Sequence, residues 1–289
     1  MTTLQSPSFT ILSDQYIAVQ GHNIRYRVAG TGPALILLHG IGRSLEDWSE
    51  NITALAEQHR VYAIDLLGFG LSDKPDQAYS IDRLRDIVRG FMDALGIEQA
   101  TIIGNSLGGA IATRLALHAS WRVAGMVLLA PAGFGLGIVS FLRLCAVPGL
   151  GEWITRKRPD SSGTRQLLSA CFHDKRFVTE QRVALTHQLA LQPGAQSAFL
   201  KTLRSTCTIR GVKKTVLQGI AGQIDKLNIP TLVIWGQQDL ILPATYAAIA
   251  GQIAGAEVVV FDSCGHFPQI ERAAEVNTLI GNFTAKHRI

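Results

Sequence analysis

Several things are scarce in this chain of 289 residues, and each scarcity removes a class of protein. There are four cysteines (Cys145, Cys171, Cys207 and Cys264), and none has the paired spacing of a zinc site or a dithiol motif. Reduced, buried thiols are the expectation for all four. No apolar run reaches the ~18 residues of a membrane span, so no integral membrane segment is expected. Met1 to Gln20 carries no basic stretch followed by an apolar run, the pattern of a signal peptide. A cytoplasmic location is the resulting expectation. Charged residues make up 17% of the chain against 47% apolar, a balance that excludes a disordered or solvating segment. Internal repeats and low-complexity tracts are lacking too. The length is ample for a substantial core in one large or two small domains.

The pattern that remains is an alternation. Tyr16 to Val19 and Ile24 to Val28 read as an edge hairpin around Gly21-His22-Asn23. Continuous apolar runs follow at Ala34–Leu38, Val61–Ile64, Ala100–Ile103 and Met126–Ala130, each typical of a strand covered on both faces. Helical patterns lie between them: about Leu45 to Glu57, Ile81 to Leu95 with Ser80 as N-cap, and Leu107 to Leu117. Strands alternating with helices at this spacing predict a mostly parallel α/β sheet. The rhythm stops after Pro131. From Ala132 to about Gln223 the patterns are helical, including Phe177 to Leu191 and Ala195 to Ser205, and no strand is evident. Pro148, Gly149, Gly151, Pro159 and Gly163 interrupt the first half. Strand, helix, strand and helix then resume at Thr231–Trp235, after Pro243, at Val258–Phe261 and at Ala273–Phe283. The expected organisation is a core of residues 1–131 and 224–289 with a helical cap, 132–223, inserted over the carboxyl ends of the strands. In open α/β sheets that edge is where ligands bind.

One stretch carries the chemistry. Gly104-Asn105-Ser106-Leu107-Gly108 joins a buried strand to a helix, with glycine two residues away on each side of a serine. A serine at the apex of such a turn is forced toward an unfavourable backbone conformation, and the glycines remove the Cβ atoms that would clash as strand and helix close. The hydroxyl then stands above the sheet at the positive end of the helix.

With this elbow, four more motifs fall at strand ends: His39-Gly40, Asp65 with Gly68-Phe69-Gly70-Leu71-Ser72, Gly236-Gln237-Gln238-Asp239, and Gly265-His266-Phe267. Over essentially its whole length the sequence resembles the α/β-hydrolase family, which orders its triad Ser…Asp…His. The resemblance implies an eight-stranded, mostly parallel sheet flanked by helices, with an inserted cap. It implies no metal and no organic cofactor.

The residues support roles of their own. A serine hydroxyl needs an adjacent base that works near neutral pH, which favours histidine. His266 sits in a loop after a strand at the carboxyl edge, whereas His22, His59, His118, His173, His187 and His287 fall in turns, helices or the tail. A carboxylate must orient the ring. Asp239 lies just past a strand end on the same edge, ahead of Asp225 and Asp262. Pro131 to Gly137, the other place where the family keeps its acid, holds no carboxylate. By resemblance, the backbone N–H groups of Ile41 and Leu107 form the oxyanion hole, and His39 shapes its loop. Asp65 and Asp73 are expected to set the loop after their strand by bonding to backbone. Gly40, Phe69, Asn105, Phe134 and Phe267 are the expected substrate-binding residues, and Phe69, Leu107, Phe134 and Phe267 near the catalytic edge suggest a small-molecule substrate with an apolar portion.

Serine at the elbow excludes the reactions of relatives with aspartate there. The leading expectation is a carboxylic ester hydrolase working through an acyl-enzyme. The Gly-Asn-Ser-x-Gly-Gly form at 104–109 also resembles carbon–carbon hydrolases that cleave vinylogous 1,5-diketone ring-cleavage products. Those enzymes typically have tryptophan where Phe267 stands, and they use a cap arginine for a substrate carboxylate, for which Arg182 and Arg204 are available. A slow-turnover binding protein on the same fold is the alternative of another class. The net charge of +5 divides unevenly, with +9 over residues 132–220 and −4 over the rest. Arg156-Lys157-Arg158, Lys175-Arg176 and Lys213-Lys214 carry much of the excess. The simple reading is a solvated surface; the sharper one is attraction of an anionic substrate or an anionic membrane surface. Nucleic acid is not an expected partner, because the basic residues lack interleaved aromatics. The expected assembly is a monomer or homodimer.

Overall fold

The computed structural model describes residues 12–156 and 161–289. Strands β1 (Gln15–Val19) and β2 (His22–Ala29) form the edge hairpin, turning through Gln20 and Gly21 at positive φ. Four more follow: β3 (Ala34–Leu38), β4 (Arg60–Ile64), β5 (Ala100–Asn105) and β6 (Val123–Leu129). A short antiparallel pair, β7 (Cys207–Thr208) and β8 (Gly211–Val212), precedes β9 (Thr231–Gly236) and β10 (Glu257–Phe261). The eight-stranded sheet runs β1-β2-β4-β3-β5-β6-β9-β10. β2 is antiparallel to both neighbours, and every pairing from β4 to β10 is parallel.

The apolar runs become strands because both sheet faces are covered, and the period of two divides each run between two cores. Ile36, Leu38, Ile102, Leu128 and Val233 pack with residues of the helices Ile81–Ala94 and Leu107–His118 on one face. Leu35, Leu37, Ile103, Val127 and Ile234 meet Trp48, Ile52 and Val276, Ile280 and Phe283 of the helix Ala273–His287 on the other. Each fully buried aliphatic side chain contributes about 1.5–3 kcal/mol. Ser80 caps its helix as predicted, its hydroxyl accepting from the Arg83 N–H at 3.1 Å.

Some local expectations do not hold. In place of one helix from Leu45 to Glu57 there is a 3₁₀ turn, Leu45–Trp48, and a single α-turn, Ile52–Leu55. The buried Asp65 carboxylate takes the Leu45 N–H at 2.7 Å, anchoring the start of this segment to the end of β4. Between β6 and β9 lie the helices Ser140–Cys145, Leu150–Ile154, Ser162–Cys171, Glu180–Ala190, Ala195–Thr206 and Lys214–Gly219. Gly151 and Gly163 sit inside helices instead of breaking them, while Pro159, Lys157 and Arg158 lie outside the described residues. The helix predicted from Phe177 starts at Glu180, because the Thr179 hydroxyl accepts from the Arg182 N–H. The β7–β8 hairpin corrects the expectation that this segment lacks strands. Gly211 permits its tight turn with φ +110°.

Candidate active site

Parallel pairing sends β3, β4, β5, β9 and β10 to the same edge, so the loops after them converge. The elbow has the geometry its glycines predict. Ser106 lies at φ 54°, ψ −112°, at the N-cap of the helix Leu107–His118. A Cβ on Gly104 would lie 2.3 Å from the Gly108 carbonyl carbon, and one on Gly108 would lie 2.2 Å from the Leu38 oxygen. The strain is held in place by the Ser106 N–H donating to Leu129 O at 2.9 Å and by Ser106 O accepting from Ala110 and Ala132.

At the end of β9, Gly236 lets the backbone of Cys264 and Gly265 approach; a Cβ there would lie 2.1 Å from Gly265 O. This closeness brings Asp239 and His266 together. Asp239 Oδ2 accepts from His266 Nδ1 at 2.7 Å and from the Trp235 indole N–H at 3.1 Å. Its Oδ1 accepts from the N–H groups of Ile241 and Leu242 at 2.8 and 3.0 Å. The fully buried carboxylate thus accepts from four donors, two on each oxygen. Among the described residues, the His266 ring makes its hydrogen bond through Nδ1 and none through Nε2. Ser106 and His266 line one cavity of about 580 Å³. Among the described residues the Ser106 hydroxyl makes no hydrogen bond to the ring. Such contacts commonly tighten only when substrate binds.

The loop after β3 faces the serine. A Cβ on Gly40 would lie 3.3 Å from both Ser106 Cβ and Asn105 Oδ1. Among the described residues, neither the Ile41 nor the Leu107 N–H donates a hydrogen bond within the protein. His39 is fully buried and shapes this loop: its Nε2 accepts from the Leu66 N–H at 3.0 Å, which assigns the proton to Nδ1, 2.7 Å from Gly40 O. Burial pushes its pKa down, keeping the ring neutral despite nearby Asp65. Asp65 and Asp73 act on backbone as expected, Asp65 accepting from Leu45 and Leu71 and Asp73 from Asn23.

Of the residues expected around the substrate, Gly40, Phe69, Asn105 and Phe267 line the cavity. Phe134 does not. It is 1% exposed and packs into the hydrophobic core, while its neighbours Ala132 and Gly133 face the cavity. Asn105 has its amide N–H groups committed to the backbone, donating to His266 O at 3.0 Å and Leu129 O at 3.2 Å, so it ties the elbow to the histidine loop. Its Oδ1 is buried and has no hydrogen-bond partner among the described residues.

Neither arginine considered for a substrate carboxylate reaches the cavity. Arg182 pairs with Glu50, and Arg204 pairs with Glu152. Arg43, which the sequence pattern did not single out, does line it. Two of its nitrogens hold Asp47, a third donates to the Thr186 hydroxyl at 3.0 Å, and the guanidinium stacks over Phe267 at 5.1 Å. Its signal in the sequence was its place four residues after His39, in a loop already assigned to the site. Among the described residues no Asp or Glu lines the cavity, whereas Arg43, Lys74 and Arg156 do.

Comparison with known proteins gives this geometry a family. A profile described as alpha/beta hydrolase fold matches residues 33–273. The 2-hydroxymuconate semialdehyde hydrolase of Pseudomonas sp. (strain CF600) is 35% identical over 266 residues, spanning 89% of each chain. Among solved structures, a mutant meta-cleavage product hydrolase from Pseudomonas fluorescens IP01 superposes with a TM-score of 0.80 at 31% identity, covering 95% of this chain and 98% of its own. The 2-hydroxy-6-oxo-6-phenylhexa-2,4-dienoate hydrolase from Rhodococcus sp. strain RHA1 gives a TM-score of 0.80 at 25% identity, covering 95% and 99%. The sheet, the elbow and the matched span agree, and the chain belongs to the α/β-hydrolase fold family.

Proposed function

We propose that this protein is a serine hydrolase that cleaves a carbon–carbon bond in an anionic vinylogous 1,5-diketone, a reading supported by relatives of 35% and 31% identity named 2-hydroxymuconate semialdehyde hydrolase and meta-cleavage product hydrolase. The ester hydrolase favoured by the sequence alone takes second place to it. The observation that carries the reading is the cavity itself: Ser106 and His266 open into an apolar chamber with Arg43 on its wall and no carboxylate among its described lining.

In this reading Ser106 Oγ attacks the carbonyl carbon while His266 Nε2 takes its proton, and Asp239 holds the ring and stabilises the imidazolium. The negative charge on the carbonyl oxygen is met by the N–H groups of Ile41 and Leu107. Collapse breaks the bond to the neighbouring carbon, which leaves as a conjugated enolate and takes up the proton from His266. Water, deprotonated by His266, then releases the acyl group from Ser106 as a carboxylic acid. Residues 132–223 act as a cap that covers the chamber and supplies apolar contacts such as Leu142, Leu203 and Phe199. Arg43, three of whose five N–H donors are already used, offers the rest to the substrate's anionic end.

The experiment is to incubate wild type and Ser106→Ala with 2-hydroxymuconate semialdehyde and follow both loss of the dienolate chromophore and formation of formate. Formate in step with bleaching, and none from the variant, supports the reading. Stable chromophore with rapid hydrolysis of p-nitrophenyl esters restores the ester hydrolase.

A further inference from the structure

Glu271 is a buried carboxylate with no part in the proposed bond cleavage. It lies on the short helical turn Pro268–Glu271, just after the loop that carries His266. Its Oε1 accepts from the Gly265 N–H at 2.7 Å, and its Oε2 accepts from the Asp174 N–H at 2.9 Å. One side chain thereby joins the residue before His266 to the backbone that follows the helix Ser162–Cys171. The joint is completed from the other side, where the His266 N–H donates to Cys171 O at 2.8 Å. Gly265 is enclosed: a Cβ on it would lie 2.5 Å from Cys171 O, 2.7 Å from His173 N and 2.9 Å from Glu271 Oε1. A carboxylate buried at about 9% exposure is costly unless its oxygens are satisfied, and here backbone donors from two separate segments satisfy them.

We propose that Glu271 is a positioning residue of the reaction: its carboxylate clamps the His266 loop to the 171–174 backbone and sets where the imidazole stands relative to Ser106. This rests on the reading of His266 as general base. Glutamine at 271 keeps the shape but turns an amide N–H toward a backbone N–H, so one side of the clamp opens.

The test compares Glu271→Gln, the nearby exposed control Glu275→Gln and His266→Ala, with active sites counted by a serine-directed fluorophosphonate. Misplacing a reacting group by about 1 Å costs about 100-fold, so kcat per titrated site in Glu271→Gln is expected to fall about 10- to 100-fold while KM holds within about threefold. The far-downfield proton of the His266–Asp239 hydrogen bond is expected to broaden or vanish in the same variant. Glu275→Gln is expected to match wild type. A purely structural staple would lower Tm and the titrated fraction but leave kcat per site and the proton resonance unchanged, and that result overturns the proposal. Should Glu271→Gln fail to fold, Asp174→Pro deletes one donor at a backbone with φ −84° and carries the same expectation. Activity in His266→Ala would instead refute the general-base reading, whereas an inactive His266→Ala beside a fully active Glu271→Gln refutes only the clamp.

Discussion

Replacing Asp239 with asparagine is the perturbation whose cost the structure specifies most closely. Among the described residues, the four neighbours bonded to the Asp239 carboxylate are all donors: His266 Nδ1, Trp235 Nε1, and the N–H groups of Ile241 and Leu242. An asparagine oxygen can satisfy only one pair. Kept on Ile241 and Leu242, it turns the amide N–H groups toward Trp235 and His266. The imidazole then presents Nδ1 as acceptor and carries its proton on Nε2, where it cannot take one from Ser106. The same loss of tautomer in a serine protease of unrelated fold costs about 10⁴ in kcat, or ~5.4 kcal/mol of transition-state stabilisation. Stability is expected to fall by less, about 1–3 kcal/mol for a buried group left unpaired, because the Trp235 indole keeps its second acceptor, Leu242 O, at 3.1 Å. The assay is kcat on the cleaved substrate at saturating concentration, together with Tm. A variant within about tenfold of wild-type kcat, correctly folded, would refute the tautomer argument and with it the role of Asp239.

Other expectations follow from neighbouring features. Ser106→Ala is expected to remove activity by several orders of magnitude without changing the far-UV spectrum, and a tenth of wild-type turnover would refute Ser106 as nucleophile. Arg43→Ala is expected to raise KM for a carboxylated substrate about 10- to 100-fold, from the loss of ~1.5–3 kcal/mol in charged hydrogen bonds, while a neutral ester of equal length changes little. Equal effects on both would show that Arg43 serves only Asp47 and Thr186. Arg25 bonds Asp14, Glu46 and fully buried Asp65, so Arg25→Met is expected to cost about 3–5 kcal/mol by stranding those carboxylates, measured by denaturant unfolding. Burial pulls the Glu46 carboxyl up, but hydrogen bonds from Arg25 and Ser44 and the charge of Arg25 outweigh it and hold its pKa below the ordinary 4.5. Its contribution is therefore full above that value and lost as pH falls through the folded pKa. Tm is expected to drop in that window, and Glu46→Gln is expected to flatten the drop.

The layout of the core was legible because it follows from local rules. Apolar runs such as Ala34–Leu38 are strands wherever both faces are covered, and the Gly104 and Gly108 pair leaves few other ways to pass from strand to helix. The loops at the carboxyl edge, with His39, Asp65, Asp239 and His266, were readable by their position after strands. What was not legible depends on contacts distant in sequence. Leu45 to Glu57 forms two short turns instead of one helix, and its start is held by Asp65, 20 residues away, which takes the Leu45 N–H. Phe134 was placed near the cavity by sequence proximity, but orientation buried it in the core. Asn105 was expected to face substrate, and its amide is spent on His266 O, 161 residues away. Arg43 and Glu271 are hydrogen-bonded to Thr186 and Asp174, partners in the segment between β6 and β9, whose fold the sequence showed only as helical pattern.

The central claim is that this cavity breaks carbon–carbon bonds, and the most direct measurement is the ratio of two kcat/KM values on one preparation. One is for a 2-hydroxy-6-oxo-2,4-dienoate and the other for a p-nitrophenyl ester of the same acyl group. The account predicts a ratio well above one, with both activities lost together in Ser106→Ala. Efficient ester turnover with no cleavage of the dienoate would contradict it.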